Sequence, residues 1–568
     1  MNNSIIPLTK KIAEIASNKG INHVVLSPGS RSAPITIAFV RHPRIKTYII
    51  PDERSAGYIA SGMSLLLNQP VGLVSTSGTA AINLYSSVAE AYYQNIPLVV
   101  LTADRPPEWV DQADGQTIHQ DYLFGKHVKE FFSFPSNQNF TNIEWYAERI
   151  MNEAINLALN LMKGPVHINI PIREPFYPAA NEKYMYSSDP KIMHSTDDVP
   201  ILNDNNSWDQ LRKTWDNSKK VLIVGGQLKH DDELLRSLKE FSKALNVPII
   251  GDCISNLHDL EENTIKHHDL ILNKPDTELQ LLTPDLLITF GRSVLSKKLK
   301  LFLRKLPPTD HWHIQEAGYC PDTFQSLTNK IRSYVPDFFN KASEKFKEKP
   351  ADPAYLKLWQ DLEINVSLKI RDFFSEGSFS ELEAVFHILE HLPENINLHL
   401  ANSMPVRLVN LIGYVKPSIE VFSNRGISGI DGCTSTAVGA SIHSEKLNVL
   451  ISGDMAFFYD RNGLWHNYIP GNLRIIILNN HGGGIFRLID GPSNLPELDE
   501  YFETNQNLLA KNTAHDFGMD YFFSNDLISL EDNIGKFLKE DGKAKILEIE
   551  TNSQINKTIF DKYISQFK

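Results

Sequence analysis

Short apolar runs alternate with stretches of helical periodicity along most of the chain. In the first third the runs are 23–26, 47–50, 71–75, 98–102 and 166–170. Each is rich in Val, Ile or Leu and is soon followed by Gly, Pro, Ser or Asp, as expected of parallel strands buried on both faces. A second series comprises 221–224, 247–250, 286–290 and 312–314, and a third 397–400, 420–422, 449–452, 475–478 and 546–549. Pro248 sits near the start of its run, where a strand tolerates proline best. The polar stretch 178–207 has no periodicity and reads as a linker, and Lys347-Glu348-Lys349-Pro350-Ala351-Asp352-Pro353 marks a second boundary. The pattern predicts an α/β protein of three doubly wound parallel-sheet domains, 1–180, 208–345 and 354–568. In such sheets ligands bind beyond the carboxyl ends of the strands.

Composition narrows the classes. A chain of 568 residues exceeds what one core can hold, and 42% apolar content is ordinary for a globular protein. A net charge of −12 argues against non-specific nucleic-acid or membrane-surface binding. No apolar run is long enough to span a bilayer and Met1-Asn2-Asn3-Ser4 begins no signal peptide, so a cytoplasmic location is expected. Cys253, Cys320 and Cys433 are widely spaced and read as reduced packing cysteines.

The strand ends carry the chemistry. The run 449–452 stops at Gly453-Asp454-Met455, and 475–478 stops at Asn479-Asn480, with Gly482-Gly483-Gly484 just beyond. Their separation fits one strand–helix–strand crossover, which sets both ends on one rim. Asp454, Asn480 and a carbonyl at Gly482 would form a partial oxygen shell for Mg2+, leaving positions for phosphate and water. The pair resembles the GD(G)…NN signature of thiamine-diphosphate enzymes, in which the metal joins the cofactor's diphosphate to the protein.

On the N-terminal rim, Pro51-Asp52-Glu53-Arg54 follows a strand, and alone it reads as a helix cap and first turn. Ser30 and Arg31 in SPGSRSAP, Gly78 in TSGTA and Arg105 in TADRPP close other strands there and favour an anionic substrate. Ser403 and Arg407 in NSMPVR and Arg425 in SNRG follow later strands, and the loop from Gly291 offers Lys297 or Lys298. So many cations suggest substrates with more than one carboxylate.

The blocks SPGSRSAP, DERSAGYIASG, TSGTAAINL, LTADRPPE, SNRGISGIDG and NNHGGGIF span most of the chain. They resemble the MenD family, thiamine-diphosphate synthases of menaquinone biosynthesis that form 2-succinyl-5-enolpyruvyl-6-hydroxy-3-cyclohexene-1-carboxylate. The resemblance implies thiamine diphosphate with Mg2+ or Mn2+, and 2-oxoglutarate and isochorismate as substrates. It implies a homodimer, or a dimer of dimers, with the site shared between chains. Glu53 would activate the cofactor, and Gly78, Ser403, Ile427, Gly453, Asp454, Met455, Asn480, Gly482, Gly483 and Ile485 would bind it. Ser403, Arg407 and Arg425 would hold the succinyl-derived part. Ser30, Arg31, Arg105, Gln116 and Lys297 or Lys298 would hold isochorismate, with Ile485, Phe486 and Leu488 as an apolar wall. Catalytic roles are implied for Glu53, Arg31, Gln116, Arg407 and Arg425.

Met455 stands where the broad signature has glycine, His481 where a third Asn is familiar, and Gly115 where an Asn precedes the Gln. His481 reads as structural and His119 as an exposed loop residue. The enzyme alternative is another thiamine-diphosphate ligase or decarboxylase, acetohydroxyacid-synthase-like; Gly225-Gly226-Gln227 is too weak a glycine pattern to support the FAD some of those bind. A non-catalytic ligand sensor is opposed by the joint presence of Glu53, Asp454 and Asn480.

Overall fold

The computed structural model describes residues 5–135, 142–174, 176–178, 184–186, 190–195, 205–375, 377, 379–489 and 491–568. Three six-stranded sheets follow one another, every strand pair parallel. The N-terminal sheet contains β1 (His23–Leu26), β2 (Lys46–Ile49), β3 (Val71–Ser75), β4 (Leu98–Asp104), β5 (Phe131–Ser133) and β6 (Val166–Pro171). The middle sheet contains β7 (Val221–Gly225), β8 (Ile249–Gly251), β9 (Thr264–Ile265), β10 (Leu286–Phe290), β11 (Asp310–Ile314) and β12 (Asn329–Ile331). The C-terminal sheet contains β13 (Asn397–Leu400), β14 (Glu420–Phe422), β15 (Asn448–Gly453), β16 (Leu473–Asn479), β17 (Asp520–Ser524) and β18 (Lys545–Glu550).

The outer two sheets share one topology, β2-β1-β3-β4-β6-β5 and β14-β13-β15-β16-β18-β17. Strand order reverses between β1 and β3, and again between β13 and β15, which puts a ligand crevice beyond those strand ends. The middle sheet, β12-β11-β10-β7-β8-β9, reverses between β7 and β10. There the two loops meet backbone to backbone: a Cβ on Gly291, whose φ is +78°, would lie 3.0 Å from the carbonyl oxygen of Gly226.

The four strands that apolar runs did not predict, β5, β9, β12 and β17, all lie at sheet edges. An edge strand pairs on one side and needs neither length nor a continuous apolar run, and β12 is Asn-Lys-Ile. The middle run expected at 247–250 is displaced, β8 beginning only after Pro248, which cannot donate to a ladder. Of the expected 178–207 linker, most lies outside the described residues; a helix begins at Asn205.

The sheets do not keep separate cores. One apolar cluster joins Val25, Ile59 and Met63 to Val438, Leu450 and Ile477, and another joins Leu222 and Leu287 to Leu398 and Leu547. The first depends on the Glu53–Leu67 and Cys433–Ser441 helices, which touch along a seam of small residues. A Cβ on Gly62 would collide with the carbonyl of Thr436, and one on Gly439 with that of Ile59.

Arg474 anchors β16, the strand that leads to Asn479 and Asn480. Its guanidinium is wholly buried and donates to the carbonyls of Phe537 (2.6 Å), Gly471 (2.9 Å), Leu473 (3.0 Å), Lys543 (2.9 Å) and Lys539. Removing it strands several buried acceptors. Arg474→Ala is expected to destabilise the chain by about 3–5 kcal/mol, read as a shift in the denaturant midpoint; a change within about 0.5 kcal/mol would contradict this account.

Candidate active site

On the C-terminal rim β15 ends at Gly453, and Asp454 starts the Asp454–Tyr459 helix with its carboxylate buried. Gln506 Nε2 donates to Asp454 Oδ2 (2.7 Å) and reaches Asn479 Oδ1 (3.3 Å). The turn after β16 is held by its own asparagines: Asn479 Oδ1 accepts from His481 N (3.1 Å) and Asn480 Oδ1 from Gly482 N (3.1 Å). His481 has φ +64° and its Nε2 lies 2.8 Å from Glu550 Oε1, a structural role. Asn480 Nδ2 donates to Glu381 Oε1 at 2.5 Å.

Glu381 was not foreseen. Burial pushes it up to about 8 against the Asn480 hydrogen bond, and the charges of Asp454 and Glu503 add to the rise. Burial likewise pushes Asp454 up to about 6. Two carboxylates thus sit in a poorly hydrated pocket, and neither forms an ion pair among the described residues. A divalent cation at Asp454 would remove that penalty, so the donors fit one. Among the described residues no group of three or more His, Cys, Asp or Glu could hold a metal. A cation here would therefore rely on Asp454, Asn480 and a carbonyl, with phosphate completing its shell.

A second group lies beyond β13 and β14. Ser403, at φ +75°, opens the Met404–Ile412 helix, and Arg407 Nη1 donates to its carbonyl (2.5 Å). Arg425 Nη1 donates to Asn402 Oδ1 (2.7 Å), while its buried Nε has no partner among the described residues. Burial and the charge of Arg425 both lower Arg407, so the two guanidiniums are neighbours. Lys297 is exposed at the start of the Lys297–Lys305 helix, and Lys298 Nζ donates to Asn273 Oδ1 (3.0 Å). Lys300, which reads in the sequence as one more helix-surface lysine, interacts electrostatically with both Arg425 and Arg407.

A buried network carries this helix to the arginines. Ser296 Oγ caps the helix by accepting from Leu299 N (2.9 Å) and donates to Asp269 Oδ1 (2.5 Å). Asp269 Oδ2 accepts from Asn410 Nδ2 (3.1 Å), and Asn410 Oδ1 accepts from Cys253 N (2.9 Å). Asn410 is one turn from Arg407 on the same helix. Beside it, Asp252 takes Leu295 N on one oxygen and His268 Nε2 (3.0 Å) on the other.

The N-terminal rim gathers Arg31, Arg105, Gln116 and Gly78. Arg31 Nη1 donates to Ile172 O (2.8 Å), and its guanidinium lies 4.5 Å over Phe176. Burial and the adjacent Arg105 lower it. Arg105 pairs with Asp114 (3.0 Å) and donates to Gly115 O (2.9 Å). Gly78, at φ +80°, donates to Gln120 Oε1 (2.9 Å), and a Cβ there would come within 3.1 Å of Gln116 Cα. Ser30 is exposed next to Arg31. His119 makes only an exposed pair with Asp111 (3.1 Å).

Asp52 is indeed the helix cap, accepting from Arg54 N (3.0 Å) and Ser55 N (3.3 Å). That leaves Glu53 half-buried in the first turn, touched by Asn83 Nδ2 at 3.3 Å. No hydrogen bond or ion pair among the described residues joins it to Asp454 or Asn480. Ile427 is exposed on the Arg425 loop, and Ile485, Phe486 and Leu488 are partly so, with Phe486 5.8 Å from Phe502. A cavity of about 580 Å³ between Ser64–Pro97 and Gln227–Arg292 holds none of these residues.

The N-terminal TPP-binding domain of thiamine pyrophosphate enzymes matches residues 7–128, and the middle domain of thiamine pyrophosphate enzymes matches 182–400. The 2-succinyl-5-enolpyruvyl-6-hydroxy-3-cyclohexene-1-carboxylate synthase of Cytophaga hutchinsonii is 44% identical over 97% of each chain. The synthases of that name from Flavobacterium johnsoniae and Porphyromonas gingivalis are 38% and 37% identical, covering 99% and 98% of this chain and 99% and 96% of theirs.

The His268–Asp252 pair makes a pH prediction. Burial opposes the imidazolium, but Asp252, aided by Asp269 and Glu363, raises His268 to about 9. A raised value means the stabilisation is complete below the unfolded histidine value, about 6.5, and is lost as pH climbs through about 9. Thermal midpoints should therefore fall between those limits by an amount worth on the order of 3 kcal/mol, and His268→Gln should flatten that slope. An unchanged slope in the variant would refute the ion pair.

Proposed function

Since the chain belongs to the family of 2-succinyl-5-enolpyruvyl-6-hydroxy-3-cyclohexene-1-carboxylate synthases, thiamine-diphosphate enzymes, we infer that it joins 2-oxoglutarate to isochorismate. It is a transferase that decarboxylates the first substrate and adds the remaining four-carbon unit to the second by 1,4-addition. Bound thiamine diphosphate supplies an electron sink, so that a 2-oxoacid can lose carbon dioxide and its carbonyl carbon can then attack an alkene. The observation that carries the reading for these residues is the division of arginines into two groups, Arg407 with Arg425 and Arg31 with Arg105. Two anionic substrates need two such groups.

The residues then divide the work. Glu53 would hold the cofactor's pyrimidine end and offer a carboxylate that can accept or return a proton there. Asp454, Asn480 and the Gly482 carbonyl would hold Mg2+ or Mn2+, Gly453, Met455 and Gly483 would line the cofactor's diphosphate, and Gly78, Ser403, Ile427 and Ile485 would line the rest of it. Ser403, Arg407 and Arg425 take the distal carboxylate of 2-oxoglutarate through charge-assisted bonds. Ser30, Arg31, Arg105, Gln116 and Lys297 or Lys298 take isochorismate, and Ile485, Phe486 and Leu488 keep water from the reacting carbon. Among the described residues no hydrogen bond or ion pair joins Glu53 to Asp454, which supports a site completed by a second copy. The domain limits 1–180, 208–345 and 354–568 follow the three sheets on this reading.

The test is an assay with thiamine diphosphate and Mg2+ in which 2-oxoglutarate consumption and isochorismate loss are followed together. Matched losses are expected, abolished by a chelator and restored by Mg2+ or Mn2+. Glu53→Gln should bind cofactor yet turn over at least about a hundredfold more slowly. Condensation of two 2-oxoacids with isochorismate untouched would favour the acetohydroxyacid-synthase-like alternative, and near-normal turnover of Glu53→Gln would remove that residue from the reaction.

A further inference from the structure

Glu90 is a carboxylate with no part in the roles above. It lies on the Tyr85–Gln94 helix of the N-terminal sheet and is 3% exposed. A glutamate so deeply buried must be well hydrogen-bonded, and two of its three partners lie beyond its own sheet. Oε1 accepts from Gly426 N (2.7 Å) and Oε2 from Ile427 N (2.5 Å), two successive amides of the loop after β14. Gln94 Nε2 adds a third donor to Oε1 at 2.7 Å. The fit is close enough that a Cβ on Gly426 would lie 2.6 Å from the Glu90 carbonyl.

The residue immediately before those amides is Arg425. The loop there is irregular, so its backbone donors find no ladder partners and must be satisfied from elsewhere. Upstream, Ser423 O accepts from Gln227 Nε2 (2.8 Å), which also lies 3.2 Å from Gln94 Oε1. Asn402 holds the loop from within the C-terminal sheet, donating to Asn424 O and Gly429 O (2.6 Å each) while accepting from Arg425. Arg425 is thus fixed on both flanks, and the two amides immediately after it rest on one side chain of a different sheet. The buried Nε of Arg425, which has no partner among the described residues, marks the group so fixed as one with bonding capacity to spare. The charge of Glu90 also acts on Arg425 directly, favouring its guanidinium.

We propose that Glu90 is a positioning residue for the 2-oxoglutarate pocket: by gripping the Gly426 and Ile427 amides it sets Arg425 where the distal carboxylate of the substrate must lie. This rests on the assignment of Arg425 to that carboxylate. Binding geometry is sensitive to sub-ångström displacement, so releasing one amide carries a cost in substrate affinity far larger than its cost in fold.

The experiment uses Glu90→Gln in the full-length, cofactor-loaded enzyme. The substituted amide turns one acceptor into a donor facing a backbone N–H, while length and shape are kept. The KM for 2-oxoglutarate, measured by carbon dioxide release without isochorismate, should rise roughly tenfold or more. The KM for isochorismate should stay within about twofold. In an Arg425→Ala background, Glu90→Gln should add nothing further, because its effect runs through the absent guanidinium. Should Glu90→Gln fail to fold, Gln94→Ala removes the third donor and the Gln227 contact but leaves both backbone amides gripped, and it should shift the same KM in the same direction by a smaller factor.

The outcomes separate. If Arg425→Ala leaves the KM for 2-oxoglutarate unchanged, the assignment of Arg425 is wrong and the proposal falls with it. If Arg425→Ala raises that KM but Glu90→Gln does not, Glu90 alone is refuted. Equal increases for both substrates, or a full further loss in the Arg425→Ala background, would reduce Glu90 to a structural residue and overturn the proposal.

Discussion

The close seam between the Glu53–Leu67 and Cys433–Ser441 helices is the contact on which the arrangement depends. Helices with ordinary side chains stand about 8–10 Å apart, but here Gly62 and Gly439 leave backbone against backbone. That approach fixes the N-terminal sheet on the C-terminal sheet with little slack. The first turn of one helix presents Glu53, and the loop leading into the other carries Arg425 and Ile427. Around the seam, Asp52 accepts from Asn462 Nδ2 (2.9 Å), Arg54 donates to Tyr459 O (2.9 Å), and Tyr58 donates to Asp431 (2.5 Å). These bonds repeat the same register in polar terms.

Charge is handled by separation. The arginine pair on the C-terminal rim and the pair on the N-terminal rim each bear a penalty of burial and mutual repulsion that a bound anion would relieve. The carboxylates at Asp454 and Glu381 bear the opposite penalty, which a cation would relieve. A pocket assembled this way is strained toward its ligands. Its polar groups are already oriented by Gln506, Asn402 and Asp269, so binding need not organise them.

What could be read from the sequence follows from where information is local. The buried central strands announce themselves because each must be apolar over its whole length. Asp454, Asn480 and Arg31 stand at strand ends beside glycines and prolines, and there a side chain's position along the chain also tells its position on the rim. Glu90 carries no such signal. In SVAEAYYQ it reads as a surface glutamate, and the amides that bury it lie 336 residues downstream. Glu381 likewise passes for a helix first-turn acid until Asn480 is found against it. Asp269 and Lys300 depend on the docking of the middle sheet, which no local pattern encodes. Pro51-Asp52-Glu53 forms the cap and first turn that it suggests when read alone, with Asp52 as the cap and Glu53 beside Asn83.

The seam also has a consequence for how the chain is made. On the ribosome the N-terminal sheet can complete its own pairings long before the chain reaches Cys433. At about 5–20 residues per second the matching helix arrives on the order of tens of seconds later. Through that interval the glycine-lined face of the Glu53–Leu67 helix, with Ile59 and Met63 beside it, has no partner from its own polypeptide. Exposed faces of that kind are where multidomain chains misassemble with neighbouring copies. The step most exposed to error in the life of this protein is therefore the wait between its first sheet and its last.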